Sequence, residues 1–227
     1  MRSGYLGLRK EAYLDGKITH MNTPIPAIIF DFGGVLLDWN PRYLYRKLFP
    51  GDEPGMERFL AEVGFCEWNP KQDAGRPFSE AVAELCARYP HYCELIRAYD
   101  ERFTETVSGA ITGTVDILYR LHQAGYPLYG LSNWSAEKFR LVRPCYAFLD
   151  RFQDMVISGE VGVIKPDPRI FHLLLQKVAR PAEQCLLIDD SPANIAAAAS
   201  LGFQTIRFQD PAQLASELSA RGLLPGD

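Results

Sequence analysis

The sequence predicts an α/β fold, a doubly wound parallel sheet with a helical segment inserted after its first strand, on three observations. Five short apolar runs recur from residue 27 onward: AIIFDF (27–32), PLYGLSN (127–133), DMVISG (154–159), CLLIDD (185–190) and QTIRF (204–208). Helix-period segments separate most of them, including Thr112 to Ala124, Asp167 to Ala179 and Ser191 to Leu201. Nearly continuous apolar strands alternating with helices are the pattern of a parallel sheet covered on both faces. The third observation is an interruption. Between residues 40 and 107 no comparable strand run occurs, and PRYLYRKLF, GMERFLAEV, SEAVAELCARY and YCELIRAYDERF all suit helices.

Taken in order, residues 1–24 alternate charge and glycine without a clear period. They are expected to form an extension outside the fold, with Met21 pointing to a start-site artefact and a docked helix or hairpin as the alternative. Residues 25–39 and 108–227 form the expected α/β core, and residues 40–107 the inserted helical segment. Clefts between a core and an inserted lobe are common ligand sites.

Composition narrows the function. With 227 residues, 47% hydrophobic and 23% charged, the chain has the make-up of a folded globular protein. A formal charge of −4 and scattered lysines and arginines provide no footprint for nucleic acid. No apolar run is long enough for a membrane span, and no secretory h-region stands at the N-terminus, so the expectation is a cytoplasmic protein with no membrane partner. The five cysteines are odd in number and lack a C-x-x-C pair, which predicts reduced, mostly buried thiols and no zinc site. The four histidines show no metal-ligand spacing. Nothing in the pattern decides between a monomer and a homodimer.

The polar residues gather at strand ends. Ligands of open parallel sheets bind beyond the carboxyl ends of the strands. The first run ends in Asp31, the second in Ser132-Asn133 and the fourth in Asp189-Asp190, while Lys165 follows the third. One such aspartate could equally cap a helix or open a turn. Adjacent carboxylates repel unless a cation or donor compensates, and Lys165 supplies a single positive charge. A divalent ion satisfies the cluster best, and an all-oxygen set selects Mg2+ over zinc. Ser132, at the start of a helix beginning in WSAEKF, offers a hydroxyl beside free N–H groups, a pocket for phosphate, or alternatively a simple N-cap.

These residues form four ordered motifs, FDFGGVL, LSNWS, IKPDPRIF and LLIDDSPANI. Their order and spacing resemble the phosphatase branch of the haloacid dehalogenase superfamily, over about residue 25 to about residue 222. The resemblance implies a Rossmann-like core, and makes the insertion that family's helical C1 cap. It implies that Asp31 is the nucleophile and becomes a transient aspartyl-phosphate. Magnesium would be held by the Asp31 carboxylate, the Gly33 carbonyl and Asp190, with Asp189 directly bound or one layer behind. Ser132 and the Asn133 backbone would grip phosphoryl oxygens, Lys165 would neutralise charge between nucleophile and phosphate, and Asn194 would support the acidic loop.

One departure stands out. Most phosphatases of this family carry a second aspartate two residues after the nucleophile, to protonate the leaving group, and Gly33 occupies that position. Asp38 is a candidate replacement, or a turn residue in DWNP. A glycine there is similar to a subset of sugar-phosphate phosphatases and to phosphatase domains attached to epoxide hydrolases, so activity on a small phosphomonoester is still expected. KQDAGRPFSE (71–80) resembles the loop with which such caps select substrate, placing Arg76 or Gln72 against it, with Trp39 and Trp68 at the entrance. The alternatives are a 2-haloacid dehalogenase, whose metal-free chemistry does not need paired aspartates, and a non-catalytic phosphate-binding protein of the same fold.

Overall fold

The computed structural model describes residues 10–14, 17–21 and 25–224. The rest of the expected N-terminal extension lies outside the described residues. Within it, β1 (Lys10–Leu14) and β2 (Lys17–Met21) pair antiparallel as a hairpin, Lys10 opposite Met21.

The five apolar runs become one parallel sheet. β3 (Ala27–Phe30) lies at its centre, flanked by β6 (Leu128–Ser132) and β8 (Cys185–Asp189), with β7 (Asp154–Ile157) and β9 (Gln204–Arg207) at the edges. Every residue of β3, β6 and β8 is buried, because side chains alternate between two covered faces. Ile28 and Phe30 pack with Leu128, Leu186 and Ile188 on one face, under α6 (Thr112–Gln123), α7 (Ala136–Val142) and α11 (Pro211–Ala220). Ala27 and Ile29 pack with Leu131 and Leu187 on the other, under α9 (Pro168–Val178) and α10 (Pro192–Ser200). Gly130 is required in β6, since a Cβ there would stand 2.4 Å from the Phe32 ring. The helix starts are written in the sequence: Asp167, Ser191 and Asp210 each accept a backbone N–H of the first turn, and each precedes a proline, whose missing N–H costs nothing at that position.

Two further strands, β4 (Leu37–Trp39) and β5 (Val107–Ala110), pair antiparallel and frame the insertion. Between them lie α1 (Arg42–Leu48), α2 (Glu53–Glu62), α3 (Phe65–Asp73), α4 (Phe78–Arg88) and α5 (Cys93–Glu101). Aromatic rings hold this lobe together, with Tyr99 packed against Tyr45, Phe65, Trp68, Phe78 and Phe103. Their apolar cluster is continuous with the sheet face carrying Phe30. A four-residue helix, α8 (Ser158–Val161), follows β7.

Two expectations need correction. Cys86 and Cys93, at the facing ends of α4 and α5, form a disulfide, and Cys66 and Cys145 are exposed; only Cys185 is a buried free thiol. The stretch 71–80 is not one loop, because α3 runs through Pro70 to Asp73 and α4 begins at Phe78. Among the described residues no helix is long and apolar enough to cross a membrane.

Candidate active site

Strand register assembles the site. Phe30 pairs with Ile188 and with Gly130, so the residues that follow at the ends of β3, β6 and β8 arrive at one level. Asp31 is 7% exposed. Its Oδ1 accepts the Phe32 N–H (2.7 Å) and the Ser132 hydroxyl (2.8 Å), and its Oδ2 lies 3.0 Å from Lys165 Nζ. Lys165 also donates to Asp189 Oδ2 (2.6 Å) and to the Leu131 carbonyl (2.8 Å). All three protons of the ammonium are therefore used.

Asp189 is fully buried and closed off. Besides Lys165 it accepts the Ser191 N–H and the Asn194 amide. Asp190, by contrast, is exposed. Asp31, Asp189 and Asp190 each place an oxygen within 4.8 Å of the others, and Lys165 is the positive charge bonded among them. Burial pushes the Asp31 carboxyl up to about 7, against the pull of Lys165, with the charge of Asp189 adding to the rise. Burial opposes the Lys165 charge too, but its two carboxylates outweigh it and hold its pKa above the ordinary value. Burial and Asp189 likewise raise Asp190.

The donor set fits a small divalent ion. Three carboxylates share one ammonium, and every nearby ligand atom is oxygen. Gly34 keeps the space clear, since a Cβ there would lie 2.7 Å from Asp190 Oδ2 and its φ of +77° also favours glycine.

A cavity of about 520 Å³ opens over these groups, lined by Asp31, Gly33, Asp190 and Asn133 from the sheet end and by Trp39, Arg42, Phe65, Cys66, Asn69 and Asp73. A narrow recess of about 50 Å³ shares Gly33, Trp39, Asn69, Asp73 and Asn133 with it and is closed by Tyr99, Phe103 and Trp134.

Asn133 lines the cavity, whereas several other expected residues do not. Asn133 uses its side chain, which accepts the Lys165 N–H (2.7 Å) and donates to the Lys165 carbonyl (2.9 Å), clamping that loop. The N–H groups after it are not free: Trp134 donates to Ser158 Oγ and Ser135 to the Asp73 carboxylate. Arg76 does not line the cavity; it binds Gln72 Oε1 (2.8 Å) and Glu84 (2.6 Å). Gln72 is fully buried beneath it, and Trp68 is a core ring whose indole donates to the Ala81 carbonyl. Asp38 takes the Tyr43 hydroxyl on both oxygens, at 2.8 Å, and does not line the cavity either.

Sequence reasoning missed Asn69 and Asp73. They sit at i and i+4 on α3, a helix hidden because Pro70 reads as a breaker. Burial pushes Asp73 up to about 7, with the charge of Asp31 adding and the Ser135 N–H offsetting.

Comparison with known proteins agrees with this architecture. The chain is 26% identical to drimenol cyclase from Aspergillus calidoustus over 203 residues, 86% of this chain, and spans about a third of that relative's length (36%). It is 26% identical to a sesquiterpene phosphatase from Aspergillus oryzae over 206 residues, covering 87% of this chain and 97% of that one. The fold matches a Bacteroides thetaiotaomicron enzyme of the haloacid dehalogenase family, solved with magnesium and inorganic phosphate, at a TM-score of 0.61 and 22% identity over 82% of this chain and 96% of that one. Residues 25–202 match the family model of haloacid dehalogenase-like hydrolases, and the chain belongs to that family of enzymes.

Proposed function

We propose that the protein hydrolyses a small phosphomonoester, such as a sugar phosphate, in two steps through an aspartyl-phosphate on Asp31, with residues 40–107 acting as the cap over the site. What carries the reading is the buried arrangement of Asp31 between Ser132 and Lys165, with Asp190 exposed beside it. Asp31 is pinned by three partners, so its attacking oxygen needs no reorientation when substrate arrives.

Asp31, Asp190 and the Gly33 carbonyl would hold Mg2+, with Asp189 behind them; when bound, the ion supplies charge neutralisation for the phosphoryl group. Ser132 and Lys165 already touch the nucleophile, and in this reading they share their donors with the phosphoryl oxygens as charge moves outward. Asn133 keeps Lys165 in place through its two bonds to that residue's main chain.

Asp31→Asn is the deciding variant. Loss of phosphate release by more than about 10³-fold, with an unchanged circular dichroism spectrum, is the expected result on a panel of sugar, nucleotide and small-acid phosphates assayed with Mg2+. Turnover that survives the substitution refutes the mechanism. Halide release from haloacetates in EDTA, with no phosphate release in Mg2+, would transfer the assignment to a dehalogenase.

A further inference from the structure

Cleaving an alkyl phosphomonoester leaves an alkoxide that needs a proton, and Gly33 has no side chain to give one. Asp38 is committed to Tyr43. Three carboxyl groups line the cavity: Asp31, Asp190 and Asp73. The first two belong to the acidic cluster; Asp73 stands outside it and makes no ion pair among the described residues.

The chain holds Asp73 over the site from both sides. Its Oδ2 accepts the Asn69 amide (3.0 Å), whose own Oδ1 accepts the Tyr99 hydroxyl (2.9 Å), a chain of hydrogen bonds rooted in the aromatic core of the lobe. From the core side, Ser135 N–H reaches the carboxylate, and Ser158 Oγ donates to the Asp73 carbonyl at 2.6 Å. Asp73 therefore ends α3 at a place set by both halves of the molecule. The room beside it is real: a Cβ built at Gly33 meets only Trp134 Cζ3, at 3.9 Å, and Gly33 has no positive φ.

We propose that Asp73, reaching in from the helical lobe, is the general acid and base of the reaction, doing from the roof what a carboxyl at position 33 would do from the floor. The proposal rests on Asp31 being the nucleophile. In the first step Asp31 Oδ bonds to phosphorus, the phosphorus–oxygen bond to the leaving group breaks, and the Asp73 carboxyl gives its proton to that oxygen, releasing an alcohol. In the second, Asp73 as carboxylate takes a proton from water as the water oxygen bonds to phosphorus; the bond to Asp31 breaks, and phosphate leaves with Asp73 protonated again. The raised pKa of Asp73 agrees with this role, because a value near neutrality lets one group serve as acid and then as base. The titratable groups that share its surroundings are Asp31, Asp190, Arg42, Cys66 and Tyr99.

The test exploits the leaving group. In the full chain with Mg2+, Asp73→Asn is assayed on 4-nitrophenyl phosphate, whose phenolate leaves unaided, and on an alkyl phosphate turned over by the wild type, glucose 6-phosphate in the first instance. The expected result is a fall in the rate of the first step, read as the pre-steady-state release of alcohol or phenolate, of about 10²-fold or more on the alkyl ester and less than about 10-fold on the nitrophenyl ester, while the second step, common to both, slows alike. Gly33→Asp added to Asp73→Asn should recover most of the alkyl-ester rate, which a merely structural role for Asp73 does not predict. Equal losses in the first-step rate on the two esters, or a double variant no faster than Asp73→Asn, overturn the proposal. Asp31→Asn in the same assays reports separately on the nucleophile, so failure of the acid and failure of the parent mechanism give different patterns.

Discussion

The floor and the roof of the cavity are built by different means. On the floor, Asp31, Ser132 and Asp189 stand where they do because three neighbouring strands run in parallel register and end together. On the roof, Asn69 and Asp73 stand where they do because α3 is wedged among aromatic rings, with Phe65 and Trp68 of the same helix packed on Tyr99. Main-chain geometry places the first set, and side-chain packing places the second. The contrast extends to charge: Asp31 and Asp189 on the floor are paired with an ammonium, whereas the roof carboxyl is half-buried among neutral donors.

The largest stability effect should come from breaking the floor. Lys165→Met leaves Asp31 and Asp189 buried without their cation and should destabilise the fold by about 3–5 kcal/mol, measured by urea unfolding. If the floor tolerates this with little loss, strand register alone holds it.

The roof should respond in the opposite direction. Asp73 has a folded pKa of about 7 against 3.8 unfolded, so between these values the folded chain holds a proton that the unfolded chain has released. Stability contributed by this group is therefore lost as pH rises through that window. Asp73→Asn cannot ionise, so in metal-free protein it should match the wild type below pH 3.8 and exceed it above about pH 7, by on the order of 2 kcal/mol. A thermal-melt series against pH reads the crossover; a constant offset at all pH values would erase the electrostatic difference between the two surfaces.

Smaller still is Gly34→Ala. The new methyl meets Asp190 Oδ2 and a φ of +77° at once, at a cost of about 1–2 kcal/mol, and Mg2+ affinity followed by calorimetry should fall because the exposed carboxylate is displaced. Unchanged affinity would remove Asp190 from the ion site.

The floor was legible because its rules are local: apolar runs, and polar residues at their ends. The roof was not. Pro70 disguised α3 as a break, although proline there removes only one helical N–H and packing compensates. The three-residue β4 and the glycine-containing β5 are too short and too little buried to show a period. Cys86 and Cys93 are seven residues apart with no pattern to pair them; only the turn between α4 and α5 brings them together. Arg76 looked available because KQDAGRPFSE resembles a substrate-selecting loop, yet Gln72 and Glu84 had already claimed it.

The ribbon formed by β4 and β5 has an evolutionary implication. The polypeptide departs from the α/β body and comes back to it through two strands bonded to each other, so everything between them is joined covalently to the body at one stalk. Such a joint lets the suspended segment be lengthened, shortened or exchanged wholesale while the strand ends that carry the acidic cluster keep their spacing. New specificities can thus be acquired by rewriting the inserted stretch alone, and Asp73 would mark a case where part of the catalytic apparatus has migrated into that replaceable portion.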